Sequence, residues 1–209
     1  MSSSSVIGQL PGTPNFSPIV VDIAKMPAGA APLGFDFGRT GRGTVGQWRV
    51  IEEKTAAGGK AIASDGQDKT DYRFPLAIYR PVSARDVDVT IHFKPVAGKV
   101  DQAGGIAVRV LSPDDYYVVR ANALENNVRF YRVTHGSRRQ LEGIDIRVAS
   151  GQWHTLGLRT EGNRFIVSFD GNELFFAEDD TYSDVGQVAL WTKADSLTLF
   201  DRLEIRTLR

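Results

Sequence analysis

The chain contains no cysteine among its 209 residues. Disulfides, thiolate zinc sites and cysteine nucleophiles are therefore excluded. The three histidines, His92, His135 and His154, do not have the spacing of metal ligands. Gly-x-Ser-x-Gly, the turn that carries the serine nucleophile of α/β-hydrolases, is also missing. We expect no required cofactor.

Net charge is lacking as well, since 25 basic residues balance 25 acidic ones. A chain without net charge has no field to hold a polyanion, so we expect no nucleic-acid partner. No apolar run approaches the roughly 20 residues that cross a bilayer, so no transmembrane segment is predicted. Met1–Ser5 has neither the basic segment nor the apolar core of a secretory signal. Two interpretations stay open: a periplasmic or secreted protein whose signal has been removed, or a cytoplasmic protein.

The first 31 residues are rich in Ser, Pro and Gly, which disfavours continuous helix or a central strand. We predict an N-terminal arm over 1–31, with a short apolar piece at 19–23 that docks as an edge strand or a helical turn. A single domain over 32–209 follows, because all-β domains of this length commonly stand alone.

From Leu33 onward, apolar residues recur with a period of two. Val87, Val89, Ile91 and Phe93 alternate with polar residues, the signature of a half-buried strand. No window has sustained helical periodicity. About a dozen short strands with turn residues between them predict a sandwich of two antiparallel sheets. Further strands are predicted at 105–111, 116–121, 127–133, 139–143, 152–160, 164–169, 173–177, 186–191 and 196–207. The predicted core comprises Phe35, Trp48, Val89, Ile91, Phe93, Ile106, Val108, Val119, Phe130, Leu156, Leu158, Phe165, Val167, Phe169, Val188, Leu190, Leu199 and Leu203.

Four segments carry a more specific pattern. They are Gly-Gly-Ile-x-x-Arg at 104–109, Arg-Ala-Asn-Ala-Leu-Glu-Asn-Asn at 120–127, Trp-His-Thr-Leu at 153–156 and Leu-Trp-Thr-Lys-Ala-Asp-Ser at 190–196. In these segments the chain resembles the bacterial 3-keto-disaccharide hydrolase-like domain family, a concanavalin A-like (laminin G-type) jelly roll. The resemblance implies a carbohydrate-related role and an exported bacterial protein.

One candidate sugar surface is the polar face of strand 87–93. Asp88, Thr90 and His92 point the same way because side chains alternate along a strand. If that strand is central, Arg109 and Arg120 on neighbouring strands would share its face, with Trp191 as an apolar platform for a sugar ring. The alternative is a solvated sheet face with cross-strand charge pairs.

A second group of polar residues follows strand 116–121. Arg120, Asn122, Glu125, Asn126 and Asn127 could line a ligand rim, with Glu125 as the best candidate for an acid or base. The alternative is a turn whose Asn side chains cap their own backbone.

Lys193 and Asp195 flank a turn, where they either bind a ligand or pair with each other. The carboxylate string Glu-x-Asp-x-x-Glu of glycoside hydrolase family 16 is absent. Jelly rolls of the resembled type often hold a structural calcium, and Asp201 with the Gly59 carbonyl would occupy that place. The alternative is a strand-to-strand pair of Asp201.

Two function classes remain. The first is a carbohydrate-interacting domain, with a divergent sugar-active hydrolase as its catalytic form. The second is a non-catalytic structural or adhesion module that contacts protein. They differ in whether Asp88, His92, Arg109, Arg120 and Trp191 converge on one concavity.

Overall fold

The computed structural model describes residues 17–208. In that range the chain forms fifteen strands and one 3-10 turn, Ile23–Lys25, and no α-helix. The strands are β1 Ile19–Val20, β2 Phe35–Gly41, β3 Trp48–Glu52, β4 Lys60–Ser64, β5 Arg73–Ala84, β6 Val87–Ala97, β7 Ala103–Ser112, β8 Asp115–Asn122, β9 Asn127–Thr134, β10 Ser137–Asp145, β11 His154–Glu161, β12 Arg164–Phe169, β13 Asn172–Glu178, β14 Gly186–Thr192 and β15 Leu197–Thr207.

The strands form two antiparallel sheets. Sheet A has the order β13-β12-β11-β6-β15-β4-β3, with β1 also paired to β15. Sheet B has the order β10-β9-β8-β7-β14-β5-β2. Several neighbours within a sheet, such as β6 and β15 or β7 and β14, are distant in sequence, so the chain crosses repeatedly between the sheets. This is the jelly-roll sandwich predicted from the sequence.

The main core lies between the two sheets. Along β6 the side chains of Val89, Ile91 and Phe93 are completely buried, while the polar residues between them face outward. The predicted core residues are all buried. Leu199 differs from the rest in packing with Ala61 and Ala63 on the outer face of sheet A.

Sheet B buries its outer face as well. Trp191 is completely buried there, stacks on Phe74 at 5.4 Å between ring centroids, and donates a hydrogen bond from Nε1 to the Tyr116 hydroxyl at 3.2 Å. Tyr131 and Val118 belong to the same apolar cluster. The outer face of sheet B therefore carries a second, smaller core.

This face is concave. Four strand spacings separate β2 from β8, which is about 19 Å in a flat sheet. The Thr40 hydroxyl of β2 nevertheless lies 2.6 Å from the Tyr116 hydroxyl of β8. The Arg138 guanidinium of β10 lies 4.7 Å from the ring of Phe74 in β5, five strands away. The sheet therefore curls around its own aromatic side chains.

Part of the predicted arm packs against the sandwich. Ile19 pairs with Ile205 and Val20 with Glu204 of β15, and Ile23 in the following turn is buried in the main core. Residues 1–16 lie outside the described range. Among the described residues, no helix is long and apolar enough to cross a membrane.

Candidate functional site

Five polar residues meet at one end of the concave face, and we call them the rim cluster: Asp101, Arg120, Asn122, Glu125 and Lys193. Their positions follow from the strand order β8-β7-β14, which brings one end of each of these three strands together. Asp101 precedes β7, Arg120 and Asn122 end β8, Glu125 lies in the β8–β9 turn, and Lys193 follows β14.

Lys193 is the centre of the rim cluster. Its Nζ atom lies 2.5 Å from Asp101 Oδ2, 3.8 Å from Asp71 Oδ1 and 4.0 Å from Glu125 Oε1. The Lys193 side chain is 14% exposed, against 0% for Asp101 and 41% for Glu125. The charges therefore run from a buried carboxylate through an ammonium group to a carboxylate in contact with solvent.

Arg120 and Asn122 fix the turn that carries Glu125. Arg120 Nη2 donates to Glu125 Oε2 at 2.7 Å and to the Tyr131 hydroxyl at 3.1 Å, while Nη1 donates to Asn127. Asn122 Oδ1 accepts the backbone N–H of Glu125 at 3.2 Å, and its Nδ2 donates to Asp101 Oδ1 at 2.5 Å. The alternative of a turn capped by its own Asn side chain is therefore present at Asn122, and a ligand role for this segment stays a prediction.

The β14–β15 turn brings Asp101 to Lys193. Asp195 accepts the backbone N–H groups of Lys99, Val100 and Asp101 at 2.8, 2.9 and 3.0 Å. Ser196 Oγ accepts the N–H of Ala103 at 3.0 Å. Lys193 and Asp195 thus take different partners instead of pairing with each other, and the Asp195 carboxylate shapes the loop that ends in Asp101.

The pKa values of Asp101 and Glu125, two of the carboxyl groups beside Lys193, are shifted in opposite directions. Burial raises the pKa of Asp101, and the Lys193 ammonium offsets this only in part. Burial also raises the pKa of Glu125, but the Arg120 guanidinium and the Asn127 amide outweigh it, so its pKa lies below that of an ordinary glutamate. At neutral pH Glu125 is therefore an ionised acceptor next to an ammonium donor.

The hypothesis of one shared face for strand 87–93 and the arginines is wrong. Asp88 and His92 lie on β6 in sheet A, whereas Arg109 and Arg120 lie on β7 and β8 in sheet B. Trp191 belongs to the buried cluster on sheet B, so its ring offers no open platform to a sugar. The five residues proposed to converge are divided among four places: the outer face of sheet A for Asp88 and His92, the loops around Arg109, the rim cluster for Arg120 and the buried cluster for Trp191.

Asp88 and His92 have partners on the outer face of sheet A. Asp88 pairs with Arg159 of β11 at 3.6 Å, as expected for a cross-strand charge pair. His92 Nδ1 lies 2.6 Å from Asp201 Oδ1, and its ring stacks on Trp153 at 4.9 Å between centroids.

Arg109 is buried and fastens loops together. Its guanidinium donates to the backbone oxygens of Arg85, Tyr182 and Gly162 at 2.9, 2.7 and 2.5 Å, and to Asp86 Oδ1 at 3.1 Å. Burial lowers its pKa. With every polar nitrogen engaged by the protein, Arg109 fits a structural role.

Both residues predicted to hold calcium already accept hydrogen bonds. Asp201 Oδ2 accepts the N–H of Ala57 at 2.8 Å, while Oδ1 contacts His92. The Gly59 carbonyl accepts the N–H of Glu53 at 3.0 Å. Within residues 17–208, no group of three or more His, Cys, Asp or Glu is placed to hold a metal ion. The Asp201 and Gly59 oxygens therefore fit a hydrogen-bonded turn better than a calcium site. Calcium binding stays a prediction.

Sequence reasoning missed Asp101 and Asp71. Asp101 lies in a polar loop without a recognisable motif, and Asp195, 94 positions away, places it. The available signal was the segment Lys193-Ala194-Asp195-Ser196, whose polar residues follow a buried strand. Because loops beside a rigid scaffold often carry functional residues, such a polar segment is a place to look for a site.

No protein-family model matches the chain, and no curated protein does. Solved structures are similar. The carbohydrate-binding module CBM66 from Bacillus subtilis is 18% identical and covers 82% of this chain and 95% of its own, with a TM-score of 0.62. Domain 4 of AbnA, a GH43 extracellular arabinanase from Geobacillus stearothermophilus solved with arabinotriose, is 16% identical, covers 89% of each chain and has a TM-score of 0.60. The Bacillus licheniformis β-glucanase is 12% identical and covers 93% of this chain and all of its own, at 0.59. At these identities the similarity establishes a shared jelly-roll fold.

Proposed function

We propose that this protein is a carbohydrate-binding jelly-roll domain that holds a sugar at the rim cluster. The observation that carries the proposal is the meeting of Arg120, Asn122, Glu125 and Lys193 with the buried Asp101 at one end of sheet B. All four were singled out from the sequence as candidate ligand or catalytic residues. Their convergence supports a site at the end of the sandwich.

The chemistry of the rim cluster suits sugar hydroxyls, which both donate and accept hydrogen bonds. The Glu125 carboxylate accepts and the Lys193 ammonium donates. Both groups are already oriented, Glu125 by Arg120 and Lys193 by Asp101. Preorganised polar groups lower the entropy that binding costs. Hydrogen bonds to charged groups are also stronger than neutral ones.

The similar structures supply the first ligands to try. One neighbour was solved with arabinotriose and another is a β-glucanase. The resemblance to the 3-keto-disaccharide hydrolase-like family points to disaccharides in addition. Since one neighbour is a domain of an extracellular arabinanase, we propose that this protein works outside the cytoplasm.

The rim cluster could also cleave the glycosidic bond of a bound sugar. A hydrolase usually needs two carboxyl groups that flank the scissile bond. Glu125 and Asp71 are accessible, but both lie beside the Lys193 ammonium, and the Asp101 side chain is completely buried behind it. Because an ammonium group accompanies both accessible carboxylates, this arrangement favours binding without bond cleavage. Release of reducing sugar from a bound oligosaccharide, lost in Glu125→Gln, would instead assign Glu125 as a catalytic acid or base.

One observation favours the second function class, a protein-contacting module. The edge strands β10 and β13 flank a groove of about 830 Å³. Ile144 is 40% exposed and Phe176 49% exposed along it. Exposed apolar side chains in a groove are typical of protein contacts. Binding to proteins without binding to any glycan would support this class.

The test is a glycan array probed with the wild-type protein and two matched variants. Glu125→Gln removes the accessible rim carboxylate, and we expect affinity to fall about 10- to 100-fold, as for loss of a hydrogen bond to a charged group. Glu161→Gln is the control, because Glu161 is also half-exposed and paired with an arginine, Arg159, but lies in sheet A. Equal binding by both variants would contradict the rim site.

A further inference from the structure

Another groove lies on the outer face of sheet A, at the same end of the sandwich as the rim cluster. We call it the end groove. It has a volume of about 920 Å³, within the range of small-ligand pockets. Apolar side chains of Ile51, Ala63 and Leu197 line it, and the polar side chains of Arg49 and Gln67 face it. Arg49 and Gln67 are exposed. Arg49 donates from Nη2 to Gln47 Oε1 and Gln67 donates from Nε2 to the Asp65 carbonyl, so the other nitrogens of Arg49 and the amide oxygen of Gln67 are the groups open to a ligand.

The walls of the end groove are fixed by hydrogen bonds within the protein. Asp68 Oδ2 accepts the Thr44 N–H at 2.8 Å, and its Oδ1 accepts the Thr70 hydroxyl at 2.6 Å. These bonds hold the pKa of Asp68 well below its usual range. The buried Arg73 donates from Nε to the Thr44 carbonyl at 2.8 Å. The two loops that form the groove are therefore tied together without a ligand.

The end groove and the rim cluster share their supporting segments. The β14–β15 turn begins at Lys193, in the rim, and runs to Leu197, in the groove. The loop before β5 contributes Asp68 to the groove, and its Asp71 lies 3.8 Å from Lys193 of the rim cluster. At Gly66, with φ of +58°, an added Cβ would lie 2.9 Å from the Asp195 carbonyl, so this loop packs directly on the turn.

We propose that the end groove extends the sugar site, so that the protein binds an oligosaccharide of several units across the end of the sandwich. The proposal rests on the proposed function and adds the length of the ligand. One unit occupies the rim cluster, and the following units pass the β14–β15 turn into the groove.

The groove chemistry fits a neutral chain. The carboxylates of Asp65 and Asp68 face it but accept hydrogen bonds from the protein, and they disfavour an anionic ligand. The amide oxygen of Gln67 and the Arg49 nitrogens that Gln47 does not engage can bond sugar hydroxyls. The apolar floor suits the C–H faces of sugar rings.

The test measures affinity against ligand length by calorimetry. The probes are the arabinose series from the monosaccharide to the tetrasaccharide and the matching series of mixed-linkage β-glucan oligosaccharides. For the series that binds, we expect the wild-type affinity to rise at least about tenfold from the shortest to the longest member. The double variant Arg49→Ala/Gln67→Ala should remove this rise and leave the affinity for the shortest member unchanged. Arg202→Ala, an exposed arginine elsewhere on the outer face of sheet A, is the control and should behave as wild type.

The outcomes separate the two proposals. A wild-type affinity that does not change with length, but is reduced by Glu125→Gln, overturns the extension and leaves the rim site standing. A double variant that keeps the full length dependence also overturns the extension. Loss of binding at every length in the double variant, with no effect of Glu125→Gln, overturns the rim site and the extension together. If the wild-type protein binds neither the arabinose series nor the β-glucan series, the rim site and the extension are both overturned.

Discussion

At the scale of single residues, one carboxylate organises much of the candidate site. Asp195 is 96% buried and accepts three backbone N–H groups from the loop before β7. These N–H groups precede β7, and the Asp195 carboxylate supplies the acceptor that each of them has in this loop. The position of Asp101, and through it that of Lys193, therefore depends on Asp195.

Asp195→Asn tests this dependence. The amide keeps the size of the side chain but has one acceptor oxygen instead of two, so we expect a loss of about 1–3 kcal/mol in the free energy of unfolding at pH 7. Urea denaturation measures it. A loss below the error of the measurement would show that the loop holds its shape in another way.

The same variant carries a pH prediction. Burial raises the pKa of Asp195, but the N–H groups of Lys99, Asp101 and Val100 outweigh it, so the native pKa lies below the ordinary value. A carboxylate with a lowered native pKa stabilises the fold above its unfolded pKa of about 3.9, and that stability is lost as the pH falls through the native pKa. The difference between wild type and Asp195→Asn should therefore be constant from pH 7 to about pH 5 and shrink in stronger acid. A constant difference down to pH 2 would contradict the assignment.

Residue types alone predicted the rim cluster only in part. A polar run after a strand pointed to Arg120, Asn122 and Glu125, and a polar turn pointed to Lys193. Asp101 could not be found this way, because a contact 94 positions away places it. Arg109 shows the converse, since a charged residue in a strand was predicted to bind ligand but instead joins three backbone carbonyls.

At the scale of elements, alternation predicted the strands and the main core well. It could not predict which sheet a strand joins, because a period of two says which residues share a face of one strand and nothing about its neighbours. β6 lies in sheet A and β7 in sheet B, so the predicted common face of His92 and Arg109 does not exist.

The second core on sheet B had a signal in the sequence. Tyr116-Tyr117-Val118-Val119 and Val188-Ala189-Leu190-Trp191 are continuous apolar runs, which are typical of strands buried on both faces. Reading Trp191 as a sugar platform overlooked this pattern.

Trp191→Ala distinguishes these two roles. Because the side chain is completely buried, we expect a loss of about 3–5 kcal/mol in the free energy of unfolding, as for other large core truncations. The sugar affinity of the folded fraction should stay near that of wild type. Trp191→Phe, a smaller truncation, provides the comparison if the alanine variant does not fold. A large loss of affinity with little loss of stability in Trp191→Phe would restore the platform role.

At the scale of the whole molecule, the filled concave face decides where a ligand can bind. Sheet B curls around Phe74, Tyr131 and Trp191, so its floor is occupied by the protein itself. Exposed polar groups gather instead at one end of the sandwich, on both sides of the β14–β15 turn. The balanced charge of the chain agrees with a neutral ligand.

The most direct test of this account is a map of backbone amide shifts by NMR while an oligosaccharide that binds is added. We predict that the largest changes fall on residues 120–127 and 192–195, with smaller changes on 44–49 and 65–68. The indole N–H of Trp191 should not move, because the ring lies beneath the surface. Changes centred on Trp191, Phe74 and Tyr131, or on the β10–β13 groove, would contradict the claim that the end of the sandwich binds the sugar.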